Sequence, residues 1–124
     1  MKWWEWVALA VAAGVGAPLR YVVDSLVSER RLSTFPYGTM VVNLSGCLVL
    51  GVLSGIVIYH HSAASTRVVL GTGLVGAYTT FSTFSAETLS LLENGSPGAA
   101  ATNAVISVVG GMLMSAAGLA LASL

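Results

Sequence analysis

Apolar residues run along the chain in four long stretches, roughly Trp6 to Val23, Gly38 to Tyr59, Val68 to Leu92 and Gly98 to Leu124, parted by short polar segments. Each stretch is close to the ~20 residues that a helix needs to cross a bilayer. The pattern therefore predicts an all-α membrane protein, a single domain of four transmembrane helices with both termini on one side. The joining segments are brief and carry most of the charge. Asp24, Glu29, Arg30 and Arg31 lie in the first, Arg67 ends the second, and the third holds Glu93 and Asn94-Gly95 with no basic residue. A secretory signal competes for the N-terminus, because Lys2 precedes an apolar run with small residues around Ala12 to Ala17. The run continues through Leu19, Tyr21 and Val23 and three more stretches follow, so a first membrane helix explains more. Trp3, Trp4 and Trp6 add an aromatic cluster of the kind that sits at a membrane interface.

Residues 76–85, Gly-Ala-Tyr-Thr-Thr-Phe-Ser-Thr-Phe-Ser, depart from this pattern by setting five serine and threonine hydroxyls and the two phenyl rings of Phe81 and Phe84 inside an apolar run. A polar group facing hydrocarbon without a partner costs several kcal/mol, so such a segment must face protein or line a wet path. Gly71, Gly73 and Gly76 precede Thr79 and Thr80 and weaken the helix near the middle of its span. Carbonyls released there suit a hard cation such as Na⁺; a glycine-rich helix packed closely on a neighbour explains the same spacing. Phe81 and Phe84 are three apart and so share a helix face. A phenyl edge can meet an anion and a phenyl face a cation, while plain packing accounts for the pair equally well.

Other polar residues fall at membrane depth. Asn43 offers amide donors early in the second stretch, and Asn103 and Ser107 stand one turn apart on the fourth. They can line a polar track or make ordinary interhelical hydrogen bonds. Arg20 and Glu87 are the ionisable residues closest to the interior; burial makes such groups functional candidates, and snorkelling to the headgroups is the structural alternative.

Composition narrows the class. With 56% hydrophobic and 8% charged residues and a mean hydropathy of +0.86, the 124-residue chain lies far from soluble averages. A single cysteine, Cys47, excludes an internal disulfide and a cysteine-cluster metal site, and His60-His61 reads as a pair of interface residues. No Ser-His-Asp set, metal-ligand spacing or phosphate loop is present, so neither an enzyme nor a nucleic-acid partner is expected. Lys2 and Arg67 fall on the side of the termini, Arg30 and Arg31 on the other with Arg20 near them, a balance that barely sets an orientation. A chain without bias can insert both ways, and two opposed copies can pair about an in-plane two-fold axis, the counterpart of the inverted repeats of transporters. With so few charges the balance can also be a simple miscount. Gly51 and Gly55 form a G-x-x-x-G pair, Gly111 and Ser115 a similar small pair, and Gly14, Gly16 and Ala17 crowd the first helix, all signs of close helix packing.

Three segments carry a resemblance to the CrcB/Fluc fluoride channels. Residues 16–21, G-A-P-L-R-Y, are similar to that family's G-A-x-x-R-Y; residues 38–46, G-T-M-V-V-N-L-S-G, to its G-T-x-x-V-N-x-x-G; and residues 76–85 to its G-G-x-T-T-F-S-T-F-S. The resemblance implies an antiparallel, dual-topology homodimer in the bacterial inner membrane, with the third helix broken near the midplane and two fluoride pores. It implies a central structural Na⁺ at the dimer interface, held by the backbone carbonyls of Gly76 and Thr79. By motif position, Phe81 and Phe84 would contact fluoride edge-on, Asn43 would donate its amide, and Ser82, Thr83 and Ser107 their hydroxyls, with Asn103 on the same track. Arg20 and Glu87 would support the pore mouths. The expected function is passive, fluoride-specific export that relieves fluoride toxicity. Departures are Ala77 for the second glycine, Ala12-Ala13 for an early glycine pair, and Asn103 where many members carry tyrosine. The competing function is a small dual-topology, proton-coupled multidrug exporter, which requires a carboxylate in the middle of the first helix; the chain has none there.

Overall fold

The computed structural model describes residues 1–124, which are helical without a strand. α1 (Trp3–Arg30), α2 (Tyr37–Tyr59) and α6 (Pro97–Ala122) are each long and apolar enough to cross a membrane. The third apolar stretch is built from pieces: α3 (Ala64–Thr66), a wide π-helical stretch (Arg67–Val75), α4 (Gly76–Tyr78) and, beyond an interruption, α5 (Ser82–Glu93). The expected break is thus present. It falls at the threonine pair, where Thr79 takes extended backbone with φ −80° and ψ 160°. The glycines lie just upstream, in the π-helical stretch and at the first residue of α4. α5 has 12 residues and is therefore ~18 Å long, short of the ~30 Å hydrocarbon layer. Only the two halves together reach across.

Local chemistry sets the ends of the elements. Pro36 immediately precedes α2 and Pro97 opens α6, positions where a missing amide hydrogen costs nothing. Gly95 turns the chain between α5 and α6 with φ 75°, a conformation that glycine takes without steric penalty. His60 Nε2 donates to the Ala122 carbonyl at 2.9 Å and ties the end of α2 to the end of α6.

Glycines set the packing seams. A Cβ on Gly51 would strike the Ser115 carbonyl, one on Gly118 the Leu48 carbonyl and one on Gly55 the Ala122 methyl, so α2 and α6 meet backbone to backbone. Ser115 Oγ donates to the Cys47 carbonyl across the same seam at 3.3 Å. α1 approaches the π-helical stretch equally closely, with Gly16 against the Leu74 carbonyl and Gly73 against the Leu9 backbone. Between helices in lipid no hydrophobic gain separates buried from exposed side chains, and close backbone approach supplies dispersion instead. The core is correspondingly thin: 17 of 124 residues are buried, so most apolar side chains look outward. The chain is a multi-pass membrane protein whose thin interior holds glycine contacts, a few apolar side chains such as Val42, Val75 and Leu91, and the polar residues Thr39 and Asn103.

Candidate functional site at the helix break

Asn43 organises the break. Its Nδ2 donates to the Thr80 carbonyl and its Oδ1 accepts the Thr80 amide, both at 2.8 Å. The side-chain amide replaces the helix ladder for that residue, so Thr80 can leave the helix inside an apolar layer without orphaned backbone groups. Thr80 then starts the next helix: its Oγ1 accepts the Thr83 amide at 3.2 Å and donates to Thr83 Oγ1 at 3.0 Å. The residue at the formal N-cap, Phe81, has no side-chain oxygen to do this. Ser82 Oγ lies 3.3 Å from the same Thr80 hydroxyl.

Upstream, Thr79 turns its amide and hydroxyl back to the Val75 carbonyl at 2.9 and 3.0 Å. The amides of Thr80 and Phe81, which would continue the ladder onto Gly76, do not reach it, and the Gly76 carbonyl is left with no hydrogen from either. The Thr79 carbonyl receives only Arg20 Nη1, at 3.4 Å. Tyr78 Oη, 2.9 Å from Ser45 Oγ, braces the short α4 against α2.

Two cavities flank the break and share Thr80 in their walls. The larger, about 290 Å³, is lined by Asn43, Gly76, Thr79, Phe81, Phe84 and Ser107, among others. The Phe81 and Phe84 rings stand 5.8 Å apart and tilted by 47°, and Phe81 is 80% exposed. Phe81 is the N-cap of α5, with helical backbone and its carbonyl accepting the Ser85 amide at 2.9 Å, so the two rings meet on one side of the helix start as their spacing predicts. The smaller cavity, about 190 Å³, is lined by Arg20, Asp24, Thr39 and Thr83 as well as Thr80.

The remaining candidates lie apart. Glu87 Oε1 accepts a hydrogen bond from Thr39 Oγ1 at 3.0 Å, and its Oε2 is buried without a partner. Asn103 is 1% exposed and donates to Thr88 Oγ1 at 2.8 Å, whereas Ser107, one turn on, reaches the larger cavity. Asn103 does not line that cavity.

Residues 7–119 match the family described as "CrcB-like protein, Camphor Resistance (CrcB)". The chain belongs to the CrcB family. Among similar CrcB-type proteins, "Fluoride-specific ion channel FluC 1" of Streptomyces avermitilis is 48% identical over 108 residues, 87% of each chain. "Fluoride-specific ion channel FluC 2" of Mycolicibacterium paratuberculosis is 48% identical over 104 residues, 84% of this chain and 82% of the relative. The corresponding "FluC 1" protein of Frankia casuarinae is 43% identical over 123 residues, 95% of each. Against this background the geometry gives Thr80 its place at the centre of the break and adds residues that the sequence pattern does not single out: Thr39 on Glu87, Thr88 on Asn103, and the Ser45–Tyr78 pair. Thr39 precedes Asn43 by one helical turn, a spacing that could have marked both as one inward face of α2.

Proposed function

We propose that this CrcB chain forms, with a second copy inserted the other way up in the bacterial inner membrane, a fluoride-specific channel with two pores. The observation that carries the reading is the cavity at the break, where phenyl rings and hydrogen-bond donors face one space at the middle of the residue 64–93 stretch. Fluoride is small and strongly hydrated, so a narrow path must replace its water with several donors yet release it. The donors at hand are the second Nδ2 hydrogen of Asn43, the Ser107 hydroxyl and the hydrogen-rich edges of Phe81 and Phe84. Thr83 and the Arg20 guanidinium continue the path on the smaller cavity's side, and the Ser82 hydroxyl stands beside Thr80 at the break. Glu87, beyond Thr39, belongs to the mouth. The curated relatives bear the name of fluoride-specific channels, which supports the choice of ion.

A sodium ion fits the donor set, because Gly76 and Thr79 present carbonyl oxygens freed from the ladder, and hard oxygens suit a hard cation. Two carbonyls cannot enclose an ion alone, so a site at the two-fold axis would draw two from each copy. When bound, Na⁺ supplies a fixed positive charge that joins the two breaks.

Export needs no fuel. An anion inside a cell with a negative interior is driven outward by about 2.3 kcal/mol per 100 mV. The drug-exporter reading finds no support, since α1 carries no carboxylate between Glu5 and Asp24. The test is growth of a fluoride-sensitive bacterium expressing the chain. The native protein is expected to restore growth in fluoride medium while Phe81→Ile and Phe84→Ile do not; full protection by both variants would overturn the assignment of the rings.

A further inference from the structure

α5 is a short helix cut loose from its predecessor at the break, yet it carries Phe84, one of the two rings on the larger cavity. Its angle must be fixed from elsewhere. One anchor is Thr39 on Glu87, toward α2. The other is a two-bond relay from α6. Asn103 Nδ2 donates to Thr88 Oγ1 at 2.8 Å, and the Thr88 hydroxyl donates to the Phe84 carbonyl at 2.7 Å. With its single hydrogen committed to Phe84, Thr88 Oγ1 can act only as acceptor toward Asn103, so the amide is held with its nitrogen facing α5. Consecutive bonds in a low-dielectric layer polarise and strengthen one another. Asn103 is at the same time 1% exposed and lines neither cavity at the break.

We infer that Asn103 is a positioning residue for Phe84, acting through Thr88 and not on the ion, and that the relay sets how the ring meets the anion. This rests on the fluoride-channel reading. Losing the bond moves the start of α5, tilts the Phe84 ring relative to Phe81, and changes the discrimination between fluoride and larger halides as well as the rate.

The experiment compares full-length native protein with Asn103→Leu, Thr88→Val, the double variant and Thr88→Ser in lipid vesicles loaded with fluoride or chloride. Hydrogen–deuterium exchange of residues 82–93 is followed in the same samples. Expected are a roughly three- to tenfold slower fluoride efflux for each of Asn103→Leu and Thr88→Val, the scale of one membrane hydrogen bond, with a lower fluoride-to-chloride ratio. The double variant should be no worse than the poorer single, Thr88→Ser should recover the native ratio, and exchange in α5 should rise in both single variants. Losses that multiply in the double variant, or a native ratio in Thr88→Val beside a defective Asn103→Leu, would show Asn103 acting directly on the ion and overturn the relay. Native rates, ratios and exchange in both singles would overturn it too. If Asn103→Leu does not assemble, Thr88→Val decides alone, since it keeps the side-chain volume and removes only the hydroxyl. Native protein that released no fluoride would instead refute the channel reading, and the exchange data would still judge the relay.

Discussion

Asn43 holds two backbone groups of Thr80 by bonds of 2.8 Å, and leucine in its place would strand both in a layer with little water. Each orphaned group costs about 1–3 kcal/mol. Asn43→Leu is therefore expected to lower the unfolding temperature in detergent and to slow fluoride efflux by at least about tenfold, whereas an unchanged melting curve would show that Thr80 has other partners. The sequence located Asn43 at membrane depth and marked the phenyl pair, but it could not match Asn43 to Thr80, Thr39 to Glu87 or Asn103 to Thr88. Such pairs depend on the rotation of each helix about its axis. Hydroxyl residues are also hard to read, since serine and threonine in helices commonly bond back to their own carbonyls, as Thr79 does to Val75 here.

At the scale of elements, the interruption was legible in the run of glycines and hydroxyls, and its site was not. Glycine weakens the whole stretch from Gly71 to Gly76 alike, and the break settles at the threonine pair because Asn43 from α2 competes there for the backbone. The π-helical widening over Arg67–Val75 left no separate mark in the sequence. Thr80 caps α5, and Thr80→Val should cost about 1 kcal/mol and raise hydrogen exchange over the first turn of α5 while leaving α2 and α6 protected. The seams make a second prediction. Gly51→Val would drive a side chain into the Ser115 carbonyl, and overpacking of this kind costs about 1–3 kcal/mol; the folded yield should fall. Gly14→Ala, where a Cβ meets nothing within 4 Å, should be tolerated and serves as its control.

The whole molecule exposes 7445 Å², against roughly 6,200 Å² for a soluble monomer of this mass. Many large apolar side chains are exposed, Phe81 beside the larger cavity among them, as expected of a chain that meets lipid; the proposed second copy would cover part of this surface. The balanced Lys and Arg count suggested such pairing at the sequence level, and pairing is a property of two chains that one chain's helices cannot display. If carbonyls from both copies hold Na⁺, replacing sodium by a bulky organic cation throughout purification should abolish efflux, and returning sodium should restore it. Efflux indifferent to sodium would remove the central ion from the account.

The central claim, that the broken helix makes a path for fluoride and for no larger halide, is tested most directly by purified native protein in vesicles loaded with equal fluoride and chloride, with both ions followed by selective electrodes after a potential is applied. Rapid release of the fluoride with the chloride retained is the predicted result; release of both at comparable rates, or of neither, would contradict it.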